Sequence, residues 1–199
     1  MSTWALVPVK ARSAGKQRLA GVLSEPQRTA LIGAMLEHVL AVVRAAPLAG
    51  VLILSPEREP LPPATHVLRD RGTGLNAALE LALPELLALH ATRALIVFAD
   101  LPLLSCEDLV ALERATEPSG VALAPDHTGT GTNALGLTLP TAFRLQFGAG
   151  SCALHQLEAE RIGRSAALVR RPGLAFDVDE PSDLEPLRAR ADPRYAFLD

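Results

Sequence analysis

The chain alternates short apolar runs with helix-like segments from one end to the other, and this alternation restricts it to an α/β sandwich with a largely parallel sheet. Residues 4–9 (WALVPV), 51–55 (VLILS), 94–100 (ALIVFAD) and 120–126 (GVALAPD) are apolar runs of strand length. The run at 94–100 is the clearest and ends in a carboxylate, Asp100. Weaker strand signals occupy 66–70 (HVLRD), 133–140 (NALGLTLP) and 166–171 (AALVRR), and 173–179 (GLAFDVD) reads as extended. Helices are expected between these runs. The first starts at Ser24, with Pro26 in its first turn and Gln27 three residues after the cap, and ends near Ala46. The second follows a glycine turn at 72–74 and kinks near Pro84. The others start at Ser105, Ser151 and Ser182, each serine acting as an N-cap. No repeat, low-complexity stretch or boundary interrupts the pattern, so residues 1–199 are expected to form one domain.

Composition narrows the function classes. With 199 residues and 49% hydrophobic content the chain can build a full core. A net charge of −3 argues against a protein that coats nucleic acid. No uncharged apolar stretch reaches the ~18 residues needed to cross a bilayer. Basic residues follow the first apolar run instead of preceding it, which is not the order of a signal peptide. The two cysteines, Cys106 and Cys152, form no CxxC pair, so a cytoplasmic setting is expected. Seventeen of the 19 basic residues are Arg; the lysines are Lys10 and Lys16 alone, and the asparagines Asn76 and Asn133 alone. In a chain rich in Ala, Leu, Arg, Gly and Pro, these four survivors draw attention.

Ligands of open α/β sheets sit beyond the carboxyl ends of the strands. Here those ends carry Lys10, Arg12, Gly15, Lys16 and Arg18 after the first strand, Asp70, Gly72, Gly74 and Asn76 after the third, and Asp100 after the fourth. Gly129, Gly131, Thr132 and Asn133 follow the fifth, and Asp177 and Asp179 end the last extended segment. Glycine lets backbone N–H groups approach phosphate, Lys and Arg neutralise it, and carboxylates hold a divalent cation. An anionic substrate with Mg2+ suits this set. Each part has a plainer reading: solvated surface for the basic loop, ordinary turns for the glycines, capping or turn roles for the aspartates. There is no GxGxxG, no GxxxxGK[ST], no zinc spacing and no GxSxG.

Six motifs in order are more specific: PVK-x5-K-x-RL (8–19), DRGTGLNAAL (70–79), FADLPLL (98–104), APDHTGTGTNAL (124–135), FGAGS (147–151) and RPGLAFDVDEPSDL (171–184). Together they resemble the 2-phospho-L-lactate guanylyltransferase family of coenzyme F420 biosynthesis, which includes enzymes using phosphoenolpyruvate or 3-phospho-D-glycerate. The resemblance covers nearly the whole chain. It implies a three-layer nucleotidyltransferase sandwich, similar to the GT-A and Rossmann-like folds, with a central mixed, mostly parallel sheet. It also implies Mg-dependent transfer of GMP from GTP to a phosphorylated three-carbon acid. Lys16 and Asp100 would be catalytic; Lys10, Gly15, Arg18, Gly74, Leu75 and Asn76 would lie by the nucleotide; Thr132, Asn133, Gly148 and Ser151 would hold the acceptor acid; Asp100, Asp177 and Asp179 would bind Mg2+. The implied partners are GTP and the acid, with no nucleic acid and no membrane; a homodimer is left open. One departure is DVDEP, with Glu180 where the family pattern has Thr. The region 56–63, with its four prolines, is also short and unusual, so guanine rests on the resemblance alone. Two alternatives stay open: another GT-A-like nucleotidyl- or glycosyltransferase, or an inactive nucleotide-binding protein. A molybdopterin nucleotidyltransferase would open with a longer LAGG-type loop, which is absent.

Overall fold

A computed structural model describes residues 2–9, 16–56, 66–72 and 74–198. Among these residues, seven strands form one sheet: β1 (Thr3–Pro8), β2 (Gly50–Ser55), β3 (His66–Arg69), β4 (Arg93–Val97), β5 (Val121–Pro125), β6 (Thr132–Thr138) and β7 (Ala167–Leu168). Their order is β3-β2-β1-β4-β6-β5-β7. All neighbours pair in parallel except β6, which runs antiparallel to both β4 and β5. The sheet is therefore mixed and mostly parallel, as expected. Along β5 and β6 the register shifts: Ala124 faces Ala134, whereas Pro125 faces Thr132, so Asn133 is an extra residue in β6, a β-bulge.

The helices are α1 (Glu25–Ala45), α2 (Leu75–Ala88), α3 (Cys106–Ser119), α4 (Ser151–Arg161), the single turn α5 (Pro172–Ala175) and α6 (Pro181–Arg188). Alternating strand residues feed two cores. Leu6, Leu52, Ile96, Leu123 and Leu135 pack beneath α2 and α4. Ala5, Val7, Ile53, Val97, Ala122 and Ala134 pack beneath α1 and α3. A third cluster, with Leu31, Met35, Val178, Leu184 and Tyr195, ties α1 to α6 and the C-terminal turn. The result is three layers. Among the described residues, no helix is long and apolar enough to cross a membrane.

Local chemistry sets most helix starts. Ser24 and Gln27 form a capping box at α1, and Ser105 and Asp108 form one at α3. Pro84 lies within α2, which continues to Ala88. Four sequence expectations are corrected. Gly150, with φ of 70°, is the N-cap of α4, and Ser151 is its first residue. Glu180, not Ser182, is the N-cap of α6; Asp183 Oδ2 accepts from the backbone N–H groups of Asp179 (2.9 Å) and Glu180 (2.8 Å), which makes a serine cap unnecessary. The segment 173–179 is not extended throughout, because Pro172 starts the α5 turn. Strand β4 also ends at Val97, and Asp100 stands in the turn beyond it.

Candidate active site

The chain runs from β1 to β2 and β3 on one side, then returns to place β4 on the other side of β1. This reversal opens a crevice at the strands' carboxyl ends, the usual ligand position in such sheets. A cavity of about 510 Å3 lies there. Its lining joins a charged group, Lys16, Arg18, Asp100, Asp177 and Asp179, to Asp126, Thr132 and residues Phe147 to Ser151.

The charged wall is built around Lys16. Its backbone is left-handed (φ 56°, ψ 40°), an uncommon state for a residue with a Cβ, and its ammonium is nearly buried. Nζ lies 2.6 Å from Asp100 Oδ2 and 2.6 Å from Asp179 Oδ1. Burial works against the charge, but the two carboxylates outweigh it and hold the Lys16 pKa above its ordinary value. Burial raises the Asp177 pKa, with repulsion from Asp100 and Asp179 adding to it; the Asn133 amide, donating to Asp177 Oδ1 at 3.1 Å, opposes the shift. Asn133 also donates to the carbonyls of Leu174 and Ala175, so it fastens the Asp177 segment to β6. Arg18 reaches Glu180 at 3.2 Å, both side chains exposed.

The segment 147–151 is glycine-rich and turns sharply. Gly148 (φ 135°) and Gly150 (φ 70°) adopt backbone states that L side chains rarely reach. At the start of α4, the N–H of Ser151 donates to Gly148 O (3.1 Å) and that of Cys152 to Thr130 O (3.0 Å). Ser151 is a buried residue lining the cavity, and its hydroxyl makes no hydrogen bond among the described residues. Behind the wall, His155 is fully buried, with Nδ1 3.1 Å from Thr132 Oγ1 and Nε2 accepting from Gln146 N–H at 3.0 Å. Its ring packs edge-on against Phe147, which in turn meets Phe98.

Known proteins resemble this chain in sequence and in fold. The family described as "Guanylyl transferase CofC like" matches residues 3–196. The phosphoenolpyruvate guanylyltransferase of Sphaerobacter thermophilus is 42% identical over 196 residues, covering 96% of this chain and 95% of that one. The chain belongs to the CofC-like guanylyl transferase family. Solved structures agree on the fold. A Desulfovibrio desulfuricans G20 protein, named provisionally as a nucleotide-diphospho-sugar transferase, superposes with a TM-score of 0.81 at 19% identity, covering all of this chain and 94% of that one. The 2-C-methyl-D-erythritol 4-phosphate cytidylyltransferase of Thermus thermophilus gives 0.60 at 20% identity, covering 96% and 99%.

In this guanylyl transferase, the cavity wall includes Lys16, Arg18, Leu75, Asp100, Thr132, Asn133, Gly148, Ser151, Asp177 and Asp179. Gly74, which is exposed, and the half-buried Asn76 are not among the lining residues. Gly74 caps α2, and Asn76 clasps the backbone of Phe147, its Nδ2 donating to Phe147 O (3.0 Å) and its Oδ1 accepting from Phe147 N–H (2.8 Å). Lys10 and Gly15 lie outside the described residues. Sequence reasoning missed Asp126, whose Oδ1 accepts from Thr130 N–H (3.0 Å), and the partnership of His155. The apolar α1 residues Ile32, Met35 and Leu36 also reach the cavity; their helical spacing with the core gave no separate signal. Among the described residues, no three His, Cys, Asp or Glu side chains are drawn together as a metal cage. In donor type, the oxygens of Asp100, Asp177 and Asp179 suit a hard divalent cation.

Proposed function

We propose that this guanylyl transferase moves GMP from GTP to the phosphate of phosphoenolpyruvate, or of a close phosphorylated three-carbon acid such as 2-phospho-L-lactate or 3-phospho-D-glycerate, in coenzyme F420 biosynthesis. One observation carries the reading: a buried lysine among aspartates and an anion-suited glycine-rich segment line the same cavity. The name of the Sphaerobacter relative supports phosphoenolpyruvate as the acid.

The reaction joins two polyanions. An acceptor phosphate oxygen bonds to the α-phosphorus of GTP; the bond from that phosphorus to the bridging oxygen of the β-phosphate breaks, and pyrophosphate leaves with the electron pair. A phosphate monoester has a second pKa near ~6, so at neutral pH it is already a dianion and no general base is required. His155, behind the cleft, has both ring nitrogens engaged, and His127 Nδ1 stands 3.9 Å from Asp177 Oδ1. Lys16 and Arg18, with Lys10 and Gly15, would face the triphosphate, and Leu75 would line the nucleotide's path. Thr132, Gly148 and Ser151 would receive the acid. Asp100, Asp177 and Asp179 would hold Mg2+, which neutralises charge on the phosphates when bound. The two free cysteines suit a reducing, cytoplasmic setting.

The test is to incubate the protein with Mg2+, each nucleoside triphosphate and each of the three acids, and to measure pyrophosphate. GTP with phosphoenolpyruvate should react fastest. Faster release with another triphosphate would overturn guanine selection, and no release from any pair would overturn the reaction.

A further inference from the structure

His155 contributes no atom to the cavity wall, yet it touches both ends of the acceptor side. It sits on α4 with no solvent exposure. A backbone N–H can only donate. Since Gln146 N–H points at Nε2 from 3.0 Å, Nε2 must carry a lone pair. The ring proton is therefore on Nδ1, and the 3.1 Å contact to Thr132 is Nδ1–H donating to Oγ1. This settles the direction of a bond that either atom could otherwise donate. Thr132 has spent one lone pair, and its own hydroxyl proton has no acceptor among the described residues. Thr132 as a residue is only 4% exposed, and it lines the cavity. A buried donor without a partner is costly, so it is a place for an acceptor oxygen.

We infer that His155 is a positioning residue that makes Thr132 a hydrogen-bond donor toward the cleft, and through Gln146 anchors the segment leading into Phe147 to Ser151, so that this side receives an oxyanion. The inference deepens the proposed function and rests on its assignment of the acceptor to this wall. His155 neither accepts nor gives a proton in the reaction. Phe143 and Phe147, with ring centroids 5.6 and 4.8 Å away, hold the imidazole in its plane.

The two nitrogens can be separated by substitution. Glutamine can place an acceptor where Nε2 stood, keeping Gln146 but losing the donor to Thr132. Asparagine can place a donor near Nδ1, keeping Thr132 but losing Gln146. His155→Gln should raise KM for the acid about tenfold, the scale of one charge-assisted hydrogen bond, with KM for GTP within about twofold. His155→Asn should recover at least half of that loss on a logarithmic scale. Thr132→Val should match His155→Gln, and the double variant should be no worse than Thr132→Val alone. Additive losses, equal rises in both KM values, or no rescue by asparagine would overturn the inference. Two further measurements keep it decidable if the reaction proposal or a variant fails. In the wild type, long-range 15N–1H correlation should show the His155 proton on Nδ1; a proton on Nε2 would overturn it. Calorimetry with inorganic phosphate should show about tenfold weaker binding in His155→Gln, even if no pyrophosphate is ever released. Unchanged phosphate affinity, or none in the wild type, would overturn it, whereas loss of pyrophosphate release alone overturns only the reaction.

Discussion

Asp100 shows how much a single carboxylate can be asked to do. It meets Lys16 Nζ at 2.6 Å and shares a cavity wall with Asp177 and Asp179. Asp100→Asn keeps the shape but removes the charge that both a lysine and a divalent cation need. Turnover at saturating Mg2+ and substrate is expected to fall at least ~100-fold. Near-normal turnover would remove Asp100 from the metal assignment. The residues of this wall were legible in the sequence because they are charged and follow the apolar strand runs, and Lys16 because lysine is scarce. His155 was not legible in the same way. Its partner Thr132 lies 23 positions earlier, and only the placement of α4 against β6 brings them together. Asn76 was legible as special but not in its task, because a primary amide serves a ligand and a backbone equally well.

At the scale of elements, the Asn76–Phe147 clasp joins the start of α2 to the glycine wall, two parts of the cleft far apart in sequence. Asn76→Ala leaves a buried N–H and a buried carbonyl of Phe147 without partners. This should lower unfolding free energy by about 2 kcal/mol in urea titrations. Amide hydrogen exchange should quicken across 147–151 more than in β1 or β4; uniform quickening would mean the clasp is not local. The order of strands and helices was readable from apolar periodicity and capping residues. The antiparallel run of β6 was harder to read, since a turn of six residues, 126–131, shows only as a polar gap. The start of α6 was misread because Glu is a poor N-cap by type. Here Asp183 supplies the bonds.

For the whole molecule, buried ionisable groups give stability a direction in pH. Burial pushes the His155 pKa down to about 4. Below the ordinary value of 6.5 the unfolded chain takes up a proton that the folded chain refuses until pH nears 4. The stabilisation is thus complete above pH 6.5 and declines through that window, by about 2–3 kcal/mol between pH 7 and 4.5. Asp177 acts in the opposite sense, since its raised pKa means that protonation relieves the fold. Urea unfolding of the wild type at the two pH values should show the net loss, and His155→Gln should show a smaller one. An equal loss in both would place the acid sensitivity elsewhere.

The bulge in β6 bears on all of this. Leu135 packs beneath α2 and α4, and Ala134 beneath α1 and α3. Unbroken alternation would give Thr132 the same parity as Ala134, on the far side of the sheet from His155. The extra residue Asn133 reverses the count, so Thr132 crosses to α4 while Asn133 itself turns toward Asp177. One odd residue therefore deals the two neighbours to opposite faces of the sheet. The turn at 126–131 can lengthen or shorten without disturbing that deal, but removing a single residue inside the strand would exchange the two hands at once.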